Sequence, residues 1–176
     1  MLNESMQKAL NKQINYEFYS SQLYLSMSAY FNSVDLDGFA HWMRIQYREE
    51  VYHAMKLLDF IHTRDGRVKL DTIEEPKFEW ESPLHAFQDT YEHERSITVR
   101  INELVAKSIR DNDHATQNFL QWYIAEQVEE EASAKSVMGK LKLAGNSNSA
   151  VLLLDQEMGK RLLSIPNEDF GAIQQP

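Results

Sequence analysis

Apolar residues recur at alternating steps of three and four along most of this chain, and the runs that keep this rhythm are long. In the clearest of them Leu120, Tyr123, Gln127, Glu130, Ala134, Val137 and Leu141 fall on one stripe, the row a helix turns toward a bundle core. Three further stripes keep the same rhythm. They are Leu10, Ile14, Glu17, Ser21, Tyr24, Ser28 and Phe31; then Phe39, Met43, Gln46, Glu50, His53, Leu57 and Phe60; then Phe87, Tyr91, Glu94, Thr98, Ile101, Val105 and Ser108. The stripes predict helices over about 3–32, 35–64, 83–110 and 114–144. Asp35 reads as the N-cap of the second, Ser82 with Pro83 as the start of the third, and Gly145 as the stop of the fourth. A Leu-rich stretch over about 149–163 predicts a short fifth helix ended by Pro166, with 166–176 as a frayed tail.

Between about 65 and 82 the rhythm fails at Gly66 and Pro76, and Phe78 and Trp80 alternate with charged residues, so an extended connection is expected. The other joints are a few residues long, which makes each pair they join antiparallel. About 18 extended residues span roughly 50–60 Å, whereas a helix of about 28 residues is ~42 Å long. The long connection can therefore cross the whole bundle and set the third helix parallel to the second. The reading is an all-α four-helix bundle (about 3–145) with one long crossover and a short fifth helix, in a single domain over 1–176.

Composition narrows the chemistry. With 176 residues, 43% of them hydrophobic, the chain can bury one sizeable core. A net charge of -9 argues against nucleic acid as a partner. The absence of Cys excludes disulfides, thiolate zinc sites and iron–sulfur clusters. No apolar run approaches ~20 residues and the N-terminus lacks a signal-peptide pattern, so no membrane span and a cytoplasmic location are expected.

Each stripe carries a carboxylate near its middle: Glu17, Glu50, Glu94 and Glu130. The middles of packed helices coincide, so the four should meet at one level of the core, with His53 one turn from Glu50 and Gln127 one turn from Glu130. Four buried like charges cannot all stay ionised unaided. Two divalent cations would cancel them, and carboxylate with imidazole suits iron. Glu50 is then the bridging ligand, His53 and Glu17 complete one site, and Glu94 and Glu130 hold the other. The second helix offers E-x-x-H but the fourth offers Q-x-x-E, where Gln127 is at best a weak neutral metal ligand or else a hydrogen-bonding group within the core, so the second site should bind more weakly and release its product. Glu49, Glu126 and Glu129 flank this centre and can reach a point beside it, where a third, looser iron would sit; solvated surface charge is the competing reading. Tyr24 reads either as core packing or as an electron donor or hydrogen-bond donor to a bridging ligand. Glu131 reads as solvent-facing, Trp122 as packing and the remaining histidines as surface residues, with His93 beside Glu94 a candidate support for the ligands. Arg48 is a cation next to the Glu49–Glu50 pair, its orientation open.

The segments NYEFYSSQLYLSMSAY (15–30), REEVYHAMKLL (48–58), YEHE (91–94), NFLQWYIAEQVEEE (118–131) and LAGN (143–146) resemble those of the bacterial non-haem ferritins, over nearly the whole chain. The resemblance implies a ferritin-like bundle, dinuclear ligands at Glu17, Glu50, His53, Glu94 and Glu130 with Gln127 beside them, a third iron site at Glu49, Glu126 and Glu129, and a redox tyrosine at Tyr24. It implies a homo-oligomeric shell of twenty-four subunits, with the fifth helix at the four-fold axes. There Fe(II), two ions per subunit, is oxidised by O₂ or H₂O₂ and Fe(III) is stored as ferric oxyhydroxide. The haem-binding relatives differ by a Met after the Glu of the second helix and by a second E-x-x-H. Val51 and Q-V-E-E stand here, so no haem is expected. A permanent di-iron oxidase of the rubrerythrin kind would usually carry a Cys domain or a more symmetric ligand set, and neither is present.

Overall fold

The computed structural model describes residues 2–164. Over these the chain forms five helices and no strand: α1 (Glu4–Ser33), α2 (Asp37–Thr63), α3 (Pro83–Arg110), α4 (His114–Ala144) and α5 (Asn148–Met158). α1 pairs with α2 and α3 with α4. Met6, Leu57, Leu104 and Leu120 share one apolar cluster, and Phe31, Phe39, Phe87 and Leu141 share the other. That fixes the directions: α2 and α3 run parallel, and α1 and α4 run against them. Residues 65–82, without regular secondary structure, make the long crossover.

Side-chain caps start four of the helices. Asn3, Ser82, Asp113 and Ser147 each accept a backbone N–H from the first turn of α1, α3, α4 and α5. α2 departs from the expected pattern. Asp35 does not cap it; the residue sits in the left-handed region at φ 59° and closes α1 instead. Leu36 N–H bonds the Phe31 carbonyl at 3.0 Å and Asp35 N–H bonds that of Asn32 at 3.4 Å, the double reverse bond that ends a helix with one left-handed residue. Asp65 (φ 55°) and Asn112 (φ 53°) close α2 and α3 in the same way. Short polar side chains tolerate this conformation, which explains why no glycine is needed at the turn position. The cap that α2 lacks locally comes from α5, whose Asp155 Oδ1 accepts the Phe39 N–H at 2.8 Å.

α5 is shorter than expected. It ends at Met158, ahead of Gly159, and Pro166 with the tail lies outside the described residues. It lies against the start of α2 so closely that a Cβ at Gly38 would stand 1.7 Å from the Asp155 carbonyl oxygen. Only glycine permits that approach.

The stripes of α1 and α4 are buried throughout. On α2, Phe60 is only half-buried; it stacks on Phe119 at 3.8 Å while Ile61 takes the core position. On α3 the buried face is rotated by one residue at several turns: Thr90, Ile97 and Leu104 are inside, and Tyr91, Thr98 and Val105 are half-buried. The apolar core itself is split into two clusters. The layer between them is polar, and it holds the carboxylates.

Candidate metal centre

Glu17 from α1, Glu50 from α2, Glu94 from α3 and Glu130 from α4 are all buried, as is His53. Ligand atoms of Glu17, Glu50 and His53 lie within 4.8 Å of one another, a grouping that could hold a metal ion. The i, i+3 spacing on α2 sets His53 Nδ1 3.4 Å from Glu50 Oε2. The imidazole is fixed from outside by the edge of Trp122, with ring centroids 5.3 Å apart. Tyr123 packs beside it and its hydroxyl donates to the His53 carbonyl at 2.7 Å.

The two halves of the layer differ in how their oxygens are used. On the Glu17 side, Gln13 Nε2 donates to Oε1 at 2.8 Å, while the buried Oε2 has no hydrogen-bond partner. A buried carboxylate oxygen left open costs free energy unless something binds it. On the other side Tyr24 donates its hydroxyl to Glu94 Oε1, and Gln127 Nε2 donates to Glu94 Oε2 at 3.1 Å and to its carbonyl at 3.2 Å. Gln46 Nε2 donates to Glu130 Oε2 at 2.8 Å. Protein donors thus hold both oxygens of Glu94 and one of Glu130.

Burial raises the proton affinity of the whole group. Glu17 is pushed up to about 8 by desolvation and then by the charge of Glu50. Glu130 is also pushed up to about 8 by desolvation and by Glu94, against the opposing pull of His53 and Arg161. Glu50 lies well above the usual carboxylate range, from burial and from Glu94 and Glu130. Glu94 is raised by burial, although the Tyr24 and Gln127 hydrogen bonds oppose the shift. At neutral pH Glu17 and Glu130 therefore hold protons that a divalent cation would displace. An orphaned oxygen, an imidazole and an oxygen-rich set without thiolates form a donor set that fits a hard or borderline divalent ion.

The flanking residues behave less uniformly. Glu126 is half-buried and Glu129 exposed, and Glu126 is raised by burial and by the charges of Glu129 and Glu49. Glu49 is buried and fully engaged: Arg161 Nη2 donates to Oε2 at 2.7 Å, and the Ser164 hydroxyl donates to Oε1 at 2.7 Å. Arg48, the cation adjacent in sequence, is exposed. Glu131 is not simply solvent-facing, because it is half-buried and accepts the Thr98 hydroxyl at 2.6 Å. His93 is not a surface histidine either. Its Nε2 lies 2.8 Å from the Ser20 hydroxyl and its ring packs edge-on to Tyr24. Burial and the charge of Arg100 lower it to about 4, which keeps the ring neutral.

Sequence reasoning did not assign Gln13 and Gln46 their work on the carboxylates. Gln46 left a signal, one turn before Glu50 on the same stripe. Arg161 and Ser164 left none.

Comparison with known proteins places the chain. Residues 7–144 match the Ferritin-like domain family. The bacterial non-heme ferritin of Bacteroides fragilis (strain 638R) is 42% identical over 161 residues, covering 92% of this chain and all of that protein. That of Escherichia coli O157:H7 is 40% identical over 158 residues, 90% of this chain and 96% of its own length. The crystal structure of an open pore ferritin from the hyperthermophilic archaeon Archaeoglobus fulgidus superposes with a TM-score of 0.91 at 55% identity, covering 92% of this chain and 100% of that one. With these matches over nearly its full length and the same fold, the chain belongs to the ferritin family.

Proposed function

We propose that this protein stores iron, oxidising Fe(II) to Fe(III) with O₂ or H₂O₂ at a dinuclear ferroxidase centre and holding the product as ferric oxyhydroxide inside a shell of twenty-four subunits in the cytoplasm. The observation that carries the reading is the buried layer of Glu17, Glu50, His53, Glu94 and Glu130, drawn from four helices, with an open oxygen on Glu17.

Iron is the substrate here. Glu17 and His53 hold the first ferrous ion, Glu94 and Glu130 the second, and Glu50 lies between them as the bridge. Two ferrous ions supply two electrons. With two protons these reduce O₂ to H₂O₂, or H₂O₂ to two waters. Protons displaced from the carboxyls on metal uptake are available beside the reacting oxygens. Tyr24, whose hydroxyl already bonds Glu94, orients that ligand. Gln127 is neutral and turns its amide N–H toward Glu94, which supports weaker binding at the second position and release of Fe(III) from it.

Assembly is supported by apolar side chains that the monomer leaves in water. Leu143 is 90% exposed, and Leu152 and Leu153 of α5 are exposed as well. No described helix is long and apolar enough to cross a membrane.

The test is aerobic addition of Fe²⁺ to the full-length protein, followed by near-ultraviolet absorbance and by particle size. Fast oxidation with retention of iron in a particle of hundreds of kilodaltons is expected, and Glu50→Ala should lower the rate at least about 10²-fold. Background oxidation in the unsubstituted protein would refute the reading.

A further inference from the structure

Glu49 is one of three glutamates beside the dinuclear layer, yet it is already occupied. It is 2% exposed, and both oxygens are taken by the segment that follows α5. Arg161 Nη2 lies 2.7 Å from Oε2; Ser164 gives Oε1 its hydroxyl at 2.7 Å and its backbone N–H at 3.3 Å. The segment is anchored in depth. Asp155 takes the Phe39 N–H, Gly159 packs on Gly38, His41 Nε2 lies 2.9 Å from the Arg161 carbonyl, and the guanidinium lies 4.3 Å from the Trp42 ring centroid. The electrostatics agree with that geometry: the positive charge of Arg161 reaches Glu130, and the charges of Glu49 and Glu129 reach Glu126. Arg161 thus lies on Glu49 at the flank of the layer.

Resting on the proposed dinuclear reading, we infer that Arg161 is a built-in counter-cation that fills the place a third divalent ion would take at Glu49, Glu126 and Glu129. Two properties suit it to this task. A guanidinium is never deprotonated, so its competition with metal persists at every working pH. Its planar fork also matches a carboxylate and stacks on an aromatic face, which holds it in place where a lysine would wander. The consequence is a fixed stoichiometry: a subunit takes two divalent ions tightly, and a third binds only when residues 161–164 leave Glu49. The segment acts as an internal competitor that keeps the third position closed while the dinuclear centre fills.

The experiment is anaerobic calorimetric titration of the full-length assembled protein with Fe²⁺, repeated with Co²⁺ for its absorption bands. Unsubstituted protein should take up two ions per subunit. Arg161→Gln, which removes the charge and keeps a shorter polar side chain, and Arg161→Ala should each take up three. The added ion should vanish in Arg161→Gln/Glu49→Gln. Arg161→Gln variants that remain at two ions, or a third ion that survives loss of Glu49, would overturn the inference. So would unsubstituted protein that already binds three and loses one in Glu49→Gln. The dinuclear reading fails separately, through uptake in unsubstituted protein that Glu17→Ala leaves unchanged. A Glu49-dependent ion gained on removing Arg161 is scored independently of that result.

Discussion

Gln46 on α2 donates its side-chain N–H to Glu130 Oε2 on α4 at 2.8 Å, so a neutral amide holds one oxygen of a carboxylate on the opposite helix. That bond leaves Oε1 as the oxygen with which Glu130 can reach a cation and fixes where it points. Groups that orient ligands in this way typically control affinity by 10–100-fold. Gln46→Leu is expected to weaken the proposed second metal position by about that factor and to leave the proposed first, at Glu17 and His53, within about twofold. Two-site calorimetry with Co²⁺ checks this, and an equal loss at both positions would refute it.

Glu17 and Glu130 both lie near 8 in the folded protein, against an ordinary value of 4.5. The folded state therefore holds more protons than the unfolded state between those two values. Stability of the metal-free protein should fall as pH rises from 4.5 through about 8 and flatten above it, by up to about 1.4 kcal/mol per pH step for each group. Glu17→Gln keeps the shape and removes the titration. It should raise the melting temperature at pH 8 and flatten the curve. A variant that melts lower at pH 8 would contradict the electrostatic account of this layer.

The same protonation links metal uptake to proton release. At pH 7 each of these two carboxyls is mostly protonated and must give up its proton to bind a cation. About two protons per subunit should be released as the centre fills, one from each of Glu17 and Glu130, and the number should decline toward zero well above pH 8. Calorimetry in buffers of different ionisation enthalpy counts them. Uptake without proton release at pH 7 would show that the carboxylates are ionised beforehand.

Tyr24→Phe deletes the hydroxyl that donates to Glu94 Oε1. In the metal-free protein this strands a buried oxygen and should cost about 1–3 kcal/mol. With iron added, stoichiometry should stay unchanged while oxidation slows, since Glu94 loses its orientation. Rapid kinetics together with a binding titration separates the two effects. Lost binding at both positions would mean that the tyrosine holds the site together rather than one ligand.

Much of this protein is written in periodicity. The stripes of α1 and α4 could be read residue by residue, because long amphipathic helices bury one face whatever they pack against. The four carboxylates could be placed at one level because they lie near the middles of helices whose short joints force antiparallel pairs. Errors fall where the local pattern competes with a contact from elsewhere. Asp35 has the chemistry of an N-cap, but a left-handed closure of α1 claims it, and the cap comes from Asp155. On α3 several stripe residues give way to neighbours because a three-residue step and a four-residue step are equally good fits to 3.6 residues per turn.

From its sequence alone this chain determines five helices, one crossover and a ring of acids in the core, since each follows from spacing, turn chemistry and length. The tertiary structure alone decided which oxygen of each acid is open. Glu17 keeps one unpaired, Glu94 is held by Tyr24 and Gln127, and Glu49 is claimed by Arg161 from the other end of the chain. Hydrogen-bond partners on different elements leave no periodic trace, because they depend on how helices pack together rather than on how each one repeats.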